Sequence, residues 1–217
     1  MLGLLEKDFR LIMQRKQSLF IFLCVTIILG FSMDGSFVVG YMSILGLTLA
    51  IGTIGYDEFD NGYPFIMTLP ITTKIYVIEK YIFSLISGIV SWSVGMLTFI
   101  IIGLIKNNTA GRTDLIVGII FIAIMIIMMD IMIPIELKFG AEKSRIAILF
   151  IMGVVGGFVI LVAKKGIEIA GEQIQSIIET VRKMSEFQIG MAVTLIVVLI
   201  TAISIGLSTG IMKKKDF

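Results

Sequence analysis

The chain has 217 residues, 57% of them hydrophobic and only 16% charged, with a formal net charge of +2 at pH 7. That apolar excess, with a mean hydropathy of +1.04, lies well above ordinary domain composition and excludes a water-soluble globular fold. The chain has no histidine and one cysteine, Cys24, so the commonest metal ligand and general base is missing and no intramolecular disulfide can form.

At the start, Leu2, Leu5, Phe9, Ile12 and Met13 recur at spacings of three and four, with Glu6, Lys7, Asp8 and Arg10 between them. This pattern predicts a helix lying at a membrane surface. Residues 17–33 then form a first apolar run, read as a retained span because no small-residue cleavage site follows it. Asp34 and Gly35 make a tight turn into a second span over 35–55, which carries Gly40, Gly46, Gly52 and Gly55.

Residues 56–80 are too polar for hydrocarbon and too apolar for a plain solvated loop. Asp57, Glu58 and Asp60 open the stretch, Phe65, Ile66, Met67 and Leu69 form its apolar middle, and Pro70 stops that middle. A short element of this kind can lie flat beneath a membrane and offer an apolar face to a partner, or can simply connect two spans.

A third span is predicted over 81–105. Its small residues Ser84, Gly88, Ser87, Ser91 and Gly95 allow close helix packing, within one copy or between two. Asn107-Asn108-Thr109 matches a glycosylation sequon, a three-residue pattern common by chance. A fourth span covers 115–133, with Asp130 near its end and Met125, Met128, Met129 and Met132 crowded along it. Pro134 is expected to break the helix, leaving a short charged loop over 135–145 with Lys138, Lys143 and Arg145. A fifth span follows over 146–163. In the polar stretch 164–187, Ile174, Ile177, Ile178, Val181 and Met184 predict a second interfacial helix. A sixth span over 188–212 ends in Lys213, Lys214 and Lys215.

The predicted fold is all-α: a single polytopic membrane domain over 1–217 with six transmembrane helices and an N-terminal interfacial helix. Six spans place both termini on one side, and twelve of the eighteen Lys and Arg residues fall on that side. The positive-inside rule therefore puts both termini and the 56–80 stretch in the cytoplasm.

No phosphate-cradling loop, metalloprotease helix, Cys-x-x-Cys pair or nucleophile elbow occurs. The basic residues sit at membrane borders and form no stripe, so a nucleic-acid partner is not expected. Asp130 is the one carboxylate well inside an apolar run, and an ionisable group at that depth is a functional candidate by default. Its structural alternative is local, since it lies four residues before Pro134.

Three features together resemble the permease subunits of type-2 ABC exporters. They are the order of amphipathic start, six spans and basic tail; the 56–80 stretch with its acidic start, Leu69-Pro70 turn and Lys80-Tyr81 entry into the third span; and the 134–145 segment. Within that family the chain is similar to the short bacterial permeases that export phenol-soluble modulins and other amphipathic or antimicrobial peptides. The resemblance implies a cell-membrane permease that pairs with a second copy and with two ATPase subunits. ATP and Mg would be bound by those ATPases, and this chain would hold no cofactor and catalyse nothing itself. It also implies that 56–80 supplies a cytoplasmic coupling helix, with Phe65, Ile66, Leu69 and Pro70 entering a groove on the ATPase and Asp57 and Glu58 at its rim. The implied cavity wall would be apolar and Met-rich, although the four methionines of the fourth span fit lipid-facing or packing positions better. Two rival readings stay open: an ion- or proton-coupled carrier using Asp130, and a non-transporting immunity or sensor subunit.

Overall fold

The computed structural model describes residues 1–32, 35–59, 62–106, 112–161 and 186–215. Seven helices account for nearly all of them: α1 (Leu2–Gln14), α2 (Lys16–Ser32), α3 (Gly35–Glu58), α4 (Gly62–Thr68), α5 (Thr73–Ile105), α6 (Arg112–Leu161) and α7 (Glu186–Lys213). Among the described residues, four helices are long and apolar enough to cross a membrane, or five if α1 and α2, bent by 68° at Arg15, are taken as one broken span. The described residues are thus all-helical, and the chain is a multi-pass membrane protein.

Helix α3 stands at the centre. Leu47, Ile51 and Ile54 of α3 share one core with Tyr76, Val77 and Tyr81 of α5, Met125, Met129, Ile133 and Leu137 of α6, and Met212 of α7. Leu4 of α1 and Tyr63 and Ile66 of α4 close the same core at one end. The small residues of α5 make the central packing possible. A Cβ on Gly46 would overlap Ser91, and one on Gly95 would reach Met42 Cβ at 3.0 Å. The small-residue rows of α5 therefore serve packing within this chain. Met125 and Met129 are packed into the core, 1% and 2% exposed, so they fill it and do not line a cavity.

Helix α2 joins the bundle through its far half. Its buried residues are Thr26 and Gly30, and Thr26 Oγ1 lies 2.9 Å from Met42 Sδ on α3. Lys106, just past α5, donates to the carbonyls of Gly30 and Phe31 at 3.2 and 2.9 Å, satisfying groups that the end of α2 leaves open.

Two predicted boundaries move. Helix α5 starts at Thr73, eight residues before the expected span, because Thr72 caps it: its side chain accepts from the Ile75 amide at 3.3 Å. Of the charges in the added turns, Lys74 is exposed, whereas Glu79 and Lys80 are buried in the ion cluster described below, so those two do not need the solvated loop that sequence reading assigned them. The second change concerns Pro134, which lies inside α6 without ending it. The chain breaks instead at Gly140, where φ is 75° and ψ is 173°, a region essentially reserved for glycine. Proline removes one backbone donor, and neighbouring helices accommodate that loss; glycine alone can reverse φ. The expected loop over 135–145 is thus helix on both sides of a single-residue kink. The interfacial helix predicted within 164–187 and the sequon at 107–109 lie outside the described residues.

Candidate functional site: a helical shelf on a buried ion cluster

Helix α4 sorts the apolar middle of 56–80 into two faces. Tyr63 and Ile66 point inward at 5% and 6% exposure, whereas Phe65 and Leu69 remain 71% and 43% exposed. The Tyr63 ring meets Tyr76 edge-on at 5.9 Å and 84°, a favourable aromatic geometry. Burial raises the pKa of the Tyr63 phenol, so it stays neutral. Gly62 permits the tight entry, because a Cβ there would lie 2.6 Å from the Asp57 carbonyl oxygen. Among the site residues expected from the sequence, Phe65, Leu69 and Pro70 are on the outside of the shelf, and Ile66 belongs to its core.

Asp57 is also turned inward. It was expected at the rim of a partner groove, but it is 5% exposed and belongs to a cluster built by three helices. Lys80 of α5 pairs with Asp57 Oδ2 at 2.7 Å and with Asp8 of α1. Lys7 of α1 pairs with Asp57 and reaches Asp8 Oδ1 at 3.2 Å. Tyr76 donates to Asp57 Oδ2 at 2.9 Å, and Thr53 of α3 donates to Asp8 Oδ2 at 3.0 Å. Lys80, Asp8 and Tyr76 are almost wholly buried. The physical reason for the inward turn is charge pairing: a buried ammonium such as Lys80 needs carboxylates around it, and Asp57 supplies one. Glu79 adds a third buried carboxylate whose oxygens accept no hydrogen bond from the described residues; the Lys80 ammonium is 3.9 Å away.

Sequence reading placed Lys7 and Asp8 on a solvated helix face and Lys80 at a membrane entry, and it missed their meeting. The signal was weak but present. Leu4 and Asp8, spaced four apart, are the two buried residues of α1, so the buried stripe of that helix includes a carboxylate.

Glu58, the neighbour of Asp57, does different work. Its Oε2 accepts from the Ala141 amide at 2.9 Å, satisfying an amide left open where α6 restarts after Gly140. Lys215 approaches Glu58 at 4.0 Å and lies over the Tyr63 ring at 4.6 Å. The shelf thus gathers the chain start, the end of α3, the α6 kink and the basic tail. Lys138 and Lys143 flank the kink on exposed positions; the side chain of Arg145 lies outside the described atoms.

Asp130 sits in a second polar cluster, deeper in the bundle. Its Oδ2 accepts from Thr201 at 2.7 Å, and its backbone carbonyl accepts from Ser204 at 2.5 Å. Tyr81 shares hydrogen bonds with Ser204 at 2.6 Å and Ser208 at 3.0 Å. Asp130 therefore ties α6 to α7 and faces no charged partner among the described residues.

The sequence model of ABC-2 family transporter proteins matches residues 3–213, nearly the whole chain. The chain belongs to that ABC-2 family. It is accordingly the membrane permease of an ABC transporter, multi-pass in the cell membrane, in a family that works with an ABC ATPase. No curated protein sequence and no solved structure gives a match. Helix α4 combines a fixed base with an outward apolar face.

Proposed function

We propose that this chain is the permease of an ATP-driven exporter that moves amphipathic or antimicrobial peptides out of the cell, working as two copies with two ATPase subunits. The chain spans the membrane six times with both termini in the cytoplasm, and ATP and Mg are handled by the ATPases. Helix α4 is the coupling helix. The observation that carries this reading is the exposure of Phe65 on α4 and of Leu69 just past its end, while the opposite face of the helix is locked into the core. Leaving such side chains in water is unfavourable by roughly 1.5–3 kcal/mol each relative to full burial, and a groove on an ATPase removes that penalty.

The ion cluster supports the mechanical part of the reading. Lys80 and Asp57 join the start of α5 to the end of α3, and Asp8 adds α1; α4 rests on this base through the Tyr63–Tyr76 ring contact. A push on α4 then moves these helix ends as one body. Asp130, held by hydroxyl groups, fits a structural tie better than an ion-carrying site.

The test is Phe65→Ala with Leu69→Ala, read by ATPase pull-down and by substrate-stimulated ATP turnover in membranes. Loss of pull-down or of stimulation, with normal membrane insertion, is expected. Unchanged assembly and unchanged stimulation would remove α4 from the coupling path.

A further inference from the structure

A second surface feature lies at the α1–α2 bend. Only the far half of α2 packs on the bundle, so its first turns splay from α3 and leave a groove of about 410 Å³, within the range of about 300–1,000 Å³ typical of ligand sites. Its walls are Leu11 and Ile12 of α1, Leu19 of α2, Leu49 and Gly52 of α3, and Met132 of α6. On α3 the exposed positions Thr48, Gly52 and Tyr56 follow one another at four-residue spacing, and a Cβ on Gly52 would meet nothing within 4 Å.

The groove follows α3 from Thr48 to Phe59, about 16 Å at the helical rise, which is close to the roughly 15 Å depth of one hydrocarbon leaflet. One end is apolar. The other end holds Arg15, whose guanidinium lies 4.8 Å over the Tyr56 ring, with exposed Lys16 beside it. Stacking occupies a face of the guanidinium and leaves its N–H edge available to a phosphate. Glu136 also lines this end but is buried at 7% exposure, so an incoming headgroup meets the cations first.

We infer that this groove holds one anionic phospholipid of the leaflet facing the chain termini, its acyl chain along Thr48, Gly52 and Leu19 and its phosphate on Arg15 and Lys16. The site requires the membrane setting alone and is independent of the coupling role of α4. Anionic headgroups gather at such basic positions, and no polar group along the apolar end needs a partner from the occupant.

The experiment uses the full chain in nanodiscs of phosphatidylcholine. A Trp92→Phe background receives Gly52→Trp or, as a second reporter on the same wall, Leu49→Trp. Brominated phosphatidylglycerol or brominated phosphatidylcholine is then titrated in and fluorescence quenching is followed. Half-maximal quenching is expected at a mole fraction of phosphatidylglycerol about five-fold lower than that of phosphatidylcholine, the factor for about one basic residue near a surface. Arg15→Gln with Lys16→Gln, both at exposed positions, should abolish the difference, and an Ile203→Trp reporter on the far helix α7 should show none. Equal quenching by the two lipids at both groove reporters would overturn the inference, as would a preference that survives the Arg15/Lys16 changes. Absence of quenching by either lipid at both reporters would also overturn it, by showing that protein fills the groove.

Discussion

The two buried polar clusters of this permease are built on different chemistry. Around Lys80, full charges from α1, α3 and α5 are packed against one another. Around Asp130, one carboxylate is held by the hydroxyl of Thr201, and the rest of the contact runs through Ser204, Ser208 and Tyr81. The first joins segments distant in sequence at the end of the bundle where α4 sits. The second fastens long apolar helices side by side. Removing one member of a buried ion pair leaves its partner charged and dry, at a cost of about 3–5 kcal/mol. Removing one member of a hydroxyl network loses about 0.5–1.5 kcal/mol. The charged cluster is therefore rigid and intolerant, as a part that transmits force should be, and the hydroxyl cluster is a milder fastening.

Lys80→Met puts the greatest strain on this comparison. It strands Asp8 and Asp57, so thermal unfolding in detergent should show a loss of about 3–5 kcal/mol, with ATPase pull-down weakened because α4 loses its base. A loss below about 1 kcal/mol would place the two clusters in the same class. Tyr81→Phe comes next. It removes the phenol shared by Ser204 and Ser208, and an unfolding loss of about 0.5–1.5 kcal/mol is expected with α4 accessibility to protease unchanged.

Asp130→Asn keeps a side-chain acceptor for Thr201, so a loss of about 1 kcal/mol or less is expected, with transport retained. Loss of transport in a stably folded Asp130→Asn protein would favour an ion- or proton-coupled carrier. Glu79→Gln sharpens the contrast through its sign. Lys7 and Lys80 face three carboxylates in the charged cluster, and Glu79 accepts no hydrogen bond from the described residues. Neutralising it should leave stability unchanged or raise it by up to about 1 kcal/mol. A large loss would mean that Glu79 carries part of the pairing.

Much of the layout was legible in the sequence. Long apolar runs can form only helices in hydrocarbon, so the all-helical fold and the multi-pass character follow from composition and run length. The four-residue spacing of Leu5, Phe9 and Met13 marks an amphipathic start, and the structure has a helix over Leu2–Gln14 that bends by 68° into α2. The apolar middle of 56–80 was visible as an element of its own and is helical over Gly62–Thr68. Local signals also misled. A proline after an apolar run looks like a stop, yet in α6 the stop is Gly140, whose positive φ is paired with the carboxylate of Glu58 from another helix. A run such as Lys74-Ile-Tyr-Val-Ile-Glu79-Lys80 looks like a solvated border, yet two of its three charges are buried.

Run length, period and charge placement, all local properties, by themselves determined that this chain is a helical membrane protein with an amphipathic start and an apolar element between its second and third runs. Which face of that element looks outward, and which charges vanish into the core, was decided only by tertiary structure. A buried ion has no local signature. Lys80 is stable inside because Asp8, seventy-two residues earlier, and Asp57 arrive at the same point, and the cost of burying charge is met only when all three helices are in place.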